Sequence, residues 1–484
     1  NMFAFASETI SFKYLNNYHR KINDNNLQKA LINPFSIEGY GHTIFDGIFQ
    51  ILPGHYIEIE ENAKIIKQKR WWSTLRNTID KLPESYESRV ENFKYIFRDA
   101  CKIRMRSDVS IGTALSGGVD SSAIYCMINH LMKEKENQER IPNNWQKAFI
   151  HTFPETSLDE SEFAKKVIAY TKGDATYITP KNKEVAENII SSTILFDGIY
   201  ATPIYPASEI YKAMRKDGIK VSLDGHGVDE MMFGYSSLLE KAYKYMRQCH
   251  NKKELENIFG SVLDKDALIF NRNDFSRIKN LIKSFIPSKI IHLKLLLENL
   301  FNVMPKMSSD HMVYLGETDS QLSELNELNK IAFDSFHLST LPTILRNFDR
   351  VSMQNGVEIR MPFMDWRLVT YVFSLQFSDK VGDKFNKKIL RDSMYGIMPE
   401  EIRRRKTKIG LNAPMIEWFT GPMKELIMDS VSSQIFQSSS LWNGKKLKKI
   451  TEQHMKEKTW SWVLCSRLWP YINAVILMES NKKI

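Results

Sequence analysis

Asp108-Val109-Ser110-Ile111-Gly112-Thr113-Ala114-Leu115-Ser116-Gly117-Gly118-Val119-Asp120-Ser121-Ser122 is the stretch that decides how this chain folds. Asp108 to Leu115 reads as a buried strand. Ser116-Gly117-Gly118 ends it, and a helix is predicted from Asp120 to about Lys133. Paired glycines let a backbone approach an anion closely, and hydroxyls and helix-start amides point at it. A lone Gly-Gly turn is usually structural. The whole string S-G-G-x-D-S-S between a strand and a helix reads as an anion-binding loop. It is not a Walker A loop, because the G-x-x-x-x-G-K-S/T spacing and its lysine are missing.

Outward from this loop, strands alternate with helices. Strands are predicted at Ala148–Phe153, Ala175–Ile178 and Ile219–Leu223, and helices at Glu160–Thr171 and Ala207–Arg215. That alternation argues for an α/β fold with a doubly wound parallel sheet. Upstream, Leu82-Pro83-Glu84-Ser85 reads as a linker, and Ser85 is placed to cap a helix from Tyr86 to Met105. Residues 236–350 and 383–484 read as mainly helical, with Leu- and Ile-rich stripes of the kind that form core. The first ~70 residues differ. Gly54–Glu60 and Lys64–Gln68 alternate at strand period after a Pro53-Gly54 turn, like a fragment of antiparallel sheet.

The 484 residues suffice for two to four domains, and 43% hydrophobic with 26% charged residues is a globular composition. No apolar run reaches the ~18–20 residues of a membrane span. The N-terminal residues lack the basic and apolar regions of a signal peptide. Cys101, Cys126, Cys249 and Cys465 are far apart, so free thiols in a reducing cytoplasm are expected. Net charge is +10, with the lysines spread along the chain. Neither a nucleic-acid nor a membrane partner is expected from that dispersal. The densest basic run, Arg403 to Lys408, suits a small anionic ligand.

Three further strings extend the reading. Leu223-Asp224-Gly225-His226-Gly227-Val228-Asp229-Glu230-Met231-Met232-Phe233-Gly234-Tyr235 begins at the C-terminal end of a predicted strand, where such sheets bind ligands. Asp349-Arg350-Val351-Ser352-Met353 precedes Gly356-Val357-Glu358-Ile359-Arg360-Met361-Pro362-Phe363-Met364-Asp365. Lys388-Ile389-Leu390-Arg391, Pro399 and Arg405-Lys406-Thr407-Lys408-Ile409-Gly410 make the last. The Ser116–Ser122 loop resembles the pyrophosphate-binding (PP) loop of ATP pyrophosphatases. Together the four strings resemble the synthetase domain of the asparagine synthetase family, from about residue 86 to 470.

The resemblance implies an ATP- and Mg²⁺-dependent ligase that adenylates a carboxylate, releases pyrophosphate and forms an amide with ammonia or an amine. It implies that Leu115, Ser116, Gly117, Gly118, Ser121 and Ser122 cradle the phosphates, and that Asp120 and Asp229 bind Mg²⁺. Backbone around Thr152 is placed at adenine and Gly225 against the nucleotide. Lys406 matches the catalytic lysine, with Lys408 next. Glu358 and Arg360 read as a structural buried pair.

Residues 1–82 resemble the closing strands of a glutaminase domain, through Phe5-Ala6-Ser7-Glu8 and Leu52-Pro53-Gly54, and residues 86–484 form the adenylating domain. The family's glutaminase domain starts with a cysteine, whereas residue 1 is Asn and no cysteine precedes Cys101. The chain as given is therefore expected not to hydrolyse glutamine. His226 departs from the family's Glu; relatives that close a β-lactam ring have Tyr there, and some lasso-peptide macrolactam synthetases His. Position 346, where ring-closing relatives carry the Glu partner of that Tyr, is Arg346. A histidine beside the adenylate is suited to deprotonate an incoming amine. An asparagine synthetase-like amidotransferase is the leading expectation. A lasso-type peptide cyclase and a non-catalytic scaffold are the rivals, and a homodimer is left open.

Overall fold

The computed structural model describes residues 3–16, 18–61, 65–134, 146–156, 158–181, 184–249, 251–262, 312–316, 320–406 and 413–482. Near the N-terminus a helix α1 (Asp24–Ile32) precedes an antiparallel pair, β1 (His55–Ile59) with β2 (Ile65–Arg70). Ser85 then caps α2 (Tyr86–Arg104) by accepting a hydrogen bond from the Ser88 amide at 3.1 Å, as its place before the helix predicts.

The central sheet has five parallel strands: β3 (Ile111–Ala114), β4 (Gln146–His151), β5 (Ala175–Ile178), β6 (Val221–Leu223) and β7 (Glu358–Arg360), in the order β5-β4-β3-β6-β7. Side chains alternate across it. Ala148 and Ile150 of β4 join a core with α2, α3 (Val119–Lys133) and α4 (Ser161–Thr171). Phe149 faces the other way, into a core with α6 (Tyr205–Lys216) and the Thr340–Gln354 helix. Helices therefore cover both faces, the doubly wound arrangement that the alternation predicts.

Three features depart from the sequence reading. A further helix, α5 (Val185–Phe196), lies between β5 and α6, burying Val185, Ile189, Thr193 and Phe196. β7 was hidden by its charged ends. Its Glu358 and Arg360 are paired at 2.7 Å, but the pair is not buried: their side chains are 57% and 24% exposed. β3 and β6 are also shorter than expected, β3 because Ser107 closes a local turn with Val109 before it begins, and β4 runs two residues earlier, over Gln146–His151.

A third core joins the two ends of the chain. Leu27 and Leu31 of α1 with Ile44 and Phe45 pack among Trp418, Phe419, Leu468 and Ile472 near the C-terminus. The N-terminal segment also meets the end of α5 and the Thr340–Gln354 helix through buried charges. Asp197 pairs with Arg20 and accepts from Thr9 at 2.7 Å, while Arg350 donates to Thr9 at 3.0 Å. Of the helical expectation for residues 236–350, the described part is helical at Ser236–Gln248, Lys252–Val262, Glu327–Phe333 and Thr340–Gln354. Residues 263–311 lie outside the described residues.

Candidate functional site

β3 and β6 are neighbours, yet the chain leaves β3 toward β4 on one side and returns through β6 on the other. Open α/β sheets bind ligands at such a switch point, outside the carboxyl ends of the strands. The loops there are Leu115–Gly118 and Asp224–Gly227.

The first loop is tightly built. Gly117 has φ 74°, and a Cβ on it would fall 2.5 Å from the Ala164 nitrogen, so only glycine fits. The Ser116 hydroxyl accepts from the Gly118 amide at 3.2 Å and bonds the Ser121 hydroxyl at 3.1 Å. The first amides of α3 have no intrahelical acceptor, which leaves donors for an anion. Leu115 is buried beneath the loop. Ser122 is fully buried, and among the described residues its hydroxyl has no hydrogen-bond partner. Gly225 packs directly on the start of α3: a Cβ there would lie 2.9 Å from the Ser121 nitrogen.

Two carboxylates meet at this point. Asp120 comes from the first turn of α3 and Asp229 from the short helix Val228–Met231. Between them stands the ammonium of Lys387, 2.7 and 2.8 Å from the Asp120 oxygens and 2.6 Å from Asp229 Oδ1. Asp224, by contrast, is turned inward and accepts from Tyr211 at 2.6 Å. Burial, with the Asp224 carboxylate adding to it, raises the Tyr211 phenol's pKa well above its ordinary value.

Asp120 and Asp229 suit a hard cation, since a buried cation already stands between them. Among the described residues no cluster of three or more His, Cys, Asp or Glu is arranged to hold a metal. Two carboxylates plus substrate phosphates is the arrangement in which Mg²⁺ is commonly held.

The remaining expected residues are placed as follows. Thr152 is buried at the end of β4; its amide donates to Ile178 at 2.8 Å and its hydroxyl bonds Thr179 at 2.7 Å. Beside it, burial pushes the His151 imidazole down to about 4, so it is neutral at physiological pH. His226 packs its ring 4.2 Å from that of Phe348. The Lys406 ammonium lies 4.9 Å from the Phe385 ring. It is therefore Lys387, rather than Lys406, that meets both carboxylates. Lys408 lies outside the described residues.

Two arginines of the basic run are used within the protein. Arg403 pairs with Glu400 and Asp392. Arg405 pairs with buried Glu160, donates to the Gly117 carbonyl at 3.0 Å and covers the Phe163 ring. It fastens this segment to the loop before α3.

Comparison with known proteins fits this geometry. The asparagine synthase family model matches residues 92–478. The chain belongs to the asparagine synthase family. It is 26% identical over 388 residues to asparagine synthetase (glutamine-hydrolyzing) 3 of Bacillus subtilis, covering 76% of this chain and 54% of that protein. It is 23% identical over 425 residues to amidase chry2 of Gibberella zeae, covering 81% of this chain and 62% of the relative. Identity to amidase chyE of Penicillium rubens is 24% over 442 residues, covering 83% and 64%. The chain thus spans 54–64% of the length of these three relatives.

Within this asparagine synthase domain, sequence reasoning missed Lys387 and quoted Arg391 without giving it a role. Lys387 has no local signal: it lies 267 residues from Asp120. Arg391 donates to Asn386 at 2.7 Å and to the carbonyls of Arg403 and Arg405 at 2.6 and 2.8 Å. It joins the Lys387 turn to the Lys406 segment. Burial pulls its guanidinium down to about 10, with Asp120 opposing. Arg346 pairs with buried Glu38, and that carboxylate also accepts from Thr343 at 2.7 Å.

Proposed function

We propose that this chain catalyses ATP-dependent amide formation: adenylation of a substrate carboxylate, release of pyrophosphate, then acyl transfer to ammonia or an amine. The observation that carries the reading is the convergence of the Ser116–Ser121 loop with Asp120 and Asp229 at the switch point. Mg²⁺, held by these two carboxylates and phosphate oxygens, would neutralise charge on the leaving pyrophosphate. The loop amides and hydroxyls orient the phosphates. Gly225 lets the nucleotide lie close to α3, and the Thr152 backbone borders adenine. Lys406, with Lys408 as the alternative, stabilises negative charge developing at the reacting carboxyl. His226 takes the proton of the attacking amine.

The acyl substrate is proposed to be aspartate or another carboxylate; His226, standing where the resembling synthetases have Glu, weighs against aspartate. A histidine there also supports a second reading, a macrolactam-forming peptide cyclase with a peptide amine as nucleophile. Residues 86–484 are proposed as the adenylating unit, with residues 1–82 docked on it. Three of the four cysteines are buried free thiols, consistent with a reducing compartment, and we place the protein in the cytoplasm.

The test is AMP and pyrophosphate release from ATP with a panel of small and peptidyl carboxylates. Carboxylate-dependent release that disappears in Asp120→Ala supports the reading. Absence of release with every carboxylate would favour a non-catalytic scaffold. Cyclised peptide would select the second reading.

A further inference from the structure

Lys387 is held more firmly than a surface lysine needs to be. Its side chain is 5% exposed, and those of Asp120 and Asp229 are 13% and 9% exposed. Its backbone is left-handed at φ 53°, a region that residues with a Cβ occupy only where surroundings hold them. Arg391 does part of the holding by donating to the carbonyl and side chain of Asn386. Gly234 clears the path: a Cβ there would fall 2.6 Å from Lys387 Cε and 1.8 Å from Asp229 Oδ1. The fold aims one ammonium at the gap between two carboxylates from separate elements.

We propose that Lys387 is a positioning residue that occupies the metal position in the nucleotide-free enzyme, so that a divalent cation enters together with the nucleotide. This rests on the reading that Asp120 and Asp229 hold that cation. Two buried carboxylates repel unless a cation lies between them. The ammonium answers that need with one positive charge, and the buried Arg391 guanidinium acts on both carboxylates from farther away. A divalent cation neutralises both, yet must first displace the ammonium from a buried pair. A triphosphate changes the balance, because its own negative charge gives the displaced ammonium a new partner. The apparent metal affinity of the empty enzyme is then the intrinsic affinity reduced by the fraction of molecules in which Lys387 has moved away.

The experiment is Mn²⁺ binding to the full chain, followed by the resonance of free Mn²⁺, which reads no catalytic turnover. Wild type without nucleotide is expected to bind Mn²⁺ weakly. Lys387→Met is expected to bind it on the order of tenfold or more tightly. Lys387→Arg, which keeps the charge, should stay weak. Adding Asp229→Asn to Lys387→Met should remove the gain. With a non-hydrolysable ATP analogue, wild type should bind Mn²⁺ and the difference should narrow. If Lys387→Met is poorly folded, Mn²⁺ should raise its melting temperature more than that of wild type. Equal nucleotide-free affinity and equal thermal response in Lys387→Met and wild type would overturn the proposal. If wild type still bound Mn²⁺ with the analogue through Asp229, the metal reading would survive that result. Mn²⁺ binding insensitive to Asp229→Asn even with the analogue would overturn both.

Discussion

Asp120→Asn removes one negative charge from a pair that faces the buried Lys387 ammonium. Pyrophosphate release should fall roughly a hundredfold or more, because the lost charge lies at the proposed metal and phosphate site. The stability cost should be ordinary, about 0.5–3 kcal/mol, since Asp229 remains beside Lys387. Stopped-assay pyrophosphate detection and a denaturant titration read the two separately. Turnover like that of the parent would refute the assignment. Lys406→Ala should slow turnover by about a hundredfold, near 3 kcal/mol at the transition state. If Lys408 fills the role instead, Lys406→Ala will be mild and Lys408→Ala severe. His226→Ala separates the two half-reactions: adenylate should form and then leak to water if the ring accepts the amine's proton. Equal loss of both steps would show that His226 acts only in holding the loop.

Elements carry consequences that single contacts do not. Lys380 ends the short helix Phe377–Lys380, is almost fully buried, and donates to Asn329 at 3.2 Å. Burial pulls its amine down to about 7, opposed by Asp379, whose carboxylate is engaged by Arg89. An unfolded lysine titrates near ~10.4, so between about 7 and 10 the unfolded chain binds a proton that the native one lacks. Stability from this group therefore rises with pH across that window and is flat below it. Lys380→Met should flatten the rise and stabilise the protein at pH 6.5, read as urea midpoints of both proteins at pH 6.5 and 9. A variant with an unchanged slope would contradict this account. At the Gly234 turn the constraint is steric. Gly234→Ala should displace Asp229 or Lys387, cost about 1–3 kcal/mol in overpacking, and weaken nucleotide binding measured by calorimetry.

The molecule as a whole is tied together by charges that its two ends contribute. Arg20 and Asp197 are each 2% exposed, and Arg20 also donates to Asn481 at 3.0 Å. Nearby, burial and Arg346 pull Arg350 down to about 10. Arg20→Ala would leave buried Asp197 without its directly paired cation, with Arg350 acting only from farther away, and should cost on the order of 3–5 kcal/mol. A shift of the denaturation midpoint checks this; an unchanged midpoint would show that the N-terminal segment is not energetically joined to the sheet. Among the described residues no helix is long and apolar enough to cross a membrane.

The anion loop and its flanking elements were legible because their information is contiguous. Two glycines, three hydroxyls and Asp120 lie within one strand–turn–helix, where local sterics fix the backbone. Periodicity likewise revealed four of the five parallel strands, and missed β7 because its ends are charged and reach solvent. The sequence alone therefore determined a parallel α/β protein with an anion loop at the end of β3. Tertiary structure decided that Lys387 meets Asp120 and Asp229, that Arg405 is used in holding the loop, and that the N-terminal segment shares a core with the C-terminal helices. Those choices depend on packing between residues hundreds of positions apart. Burial selects which cation a buried carboxylate meets, and no local pattern encodes that selection.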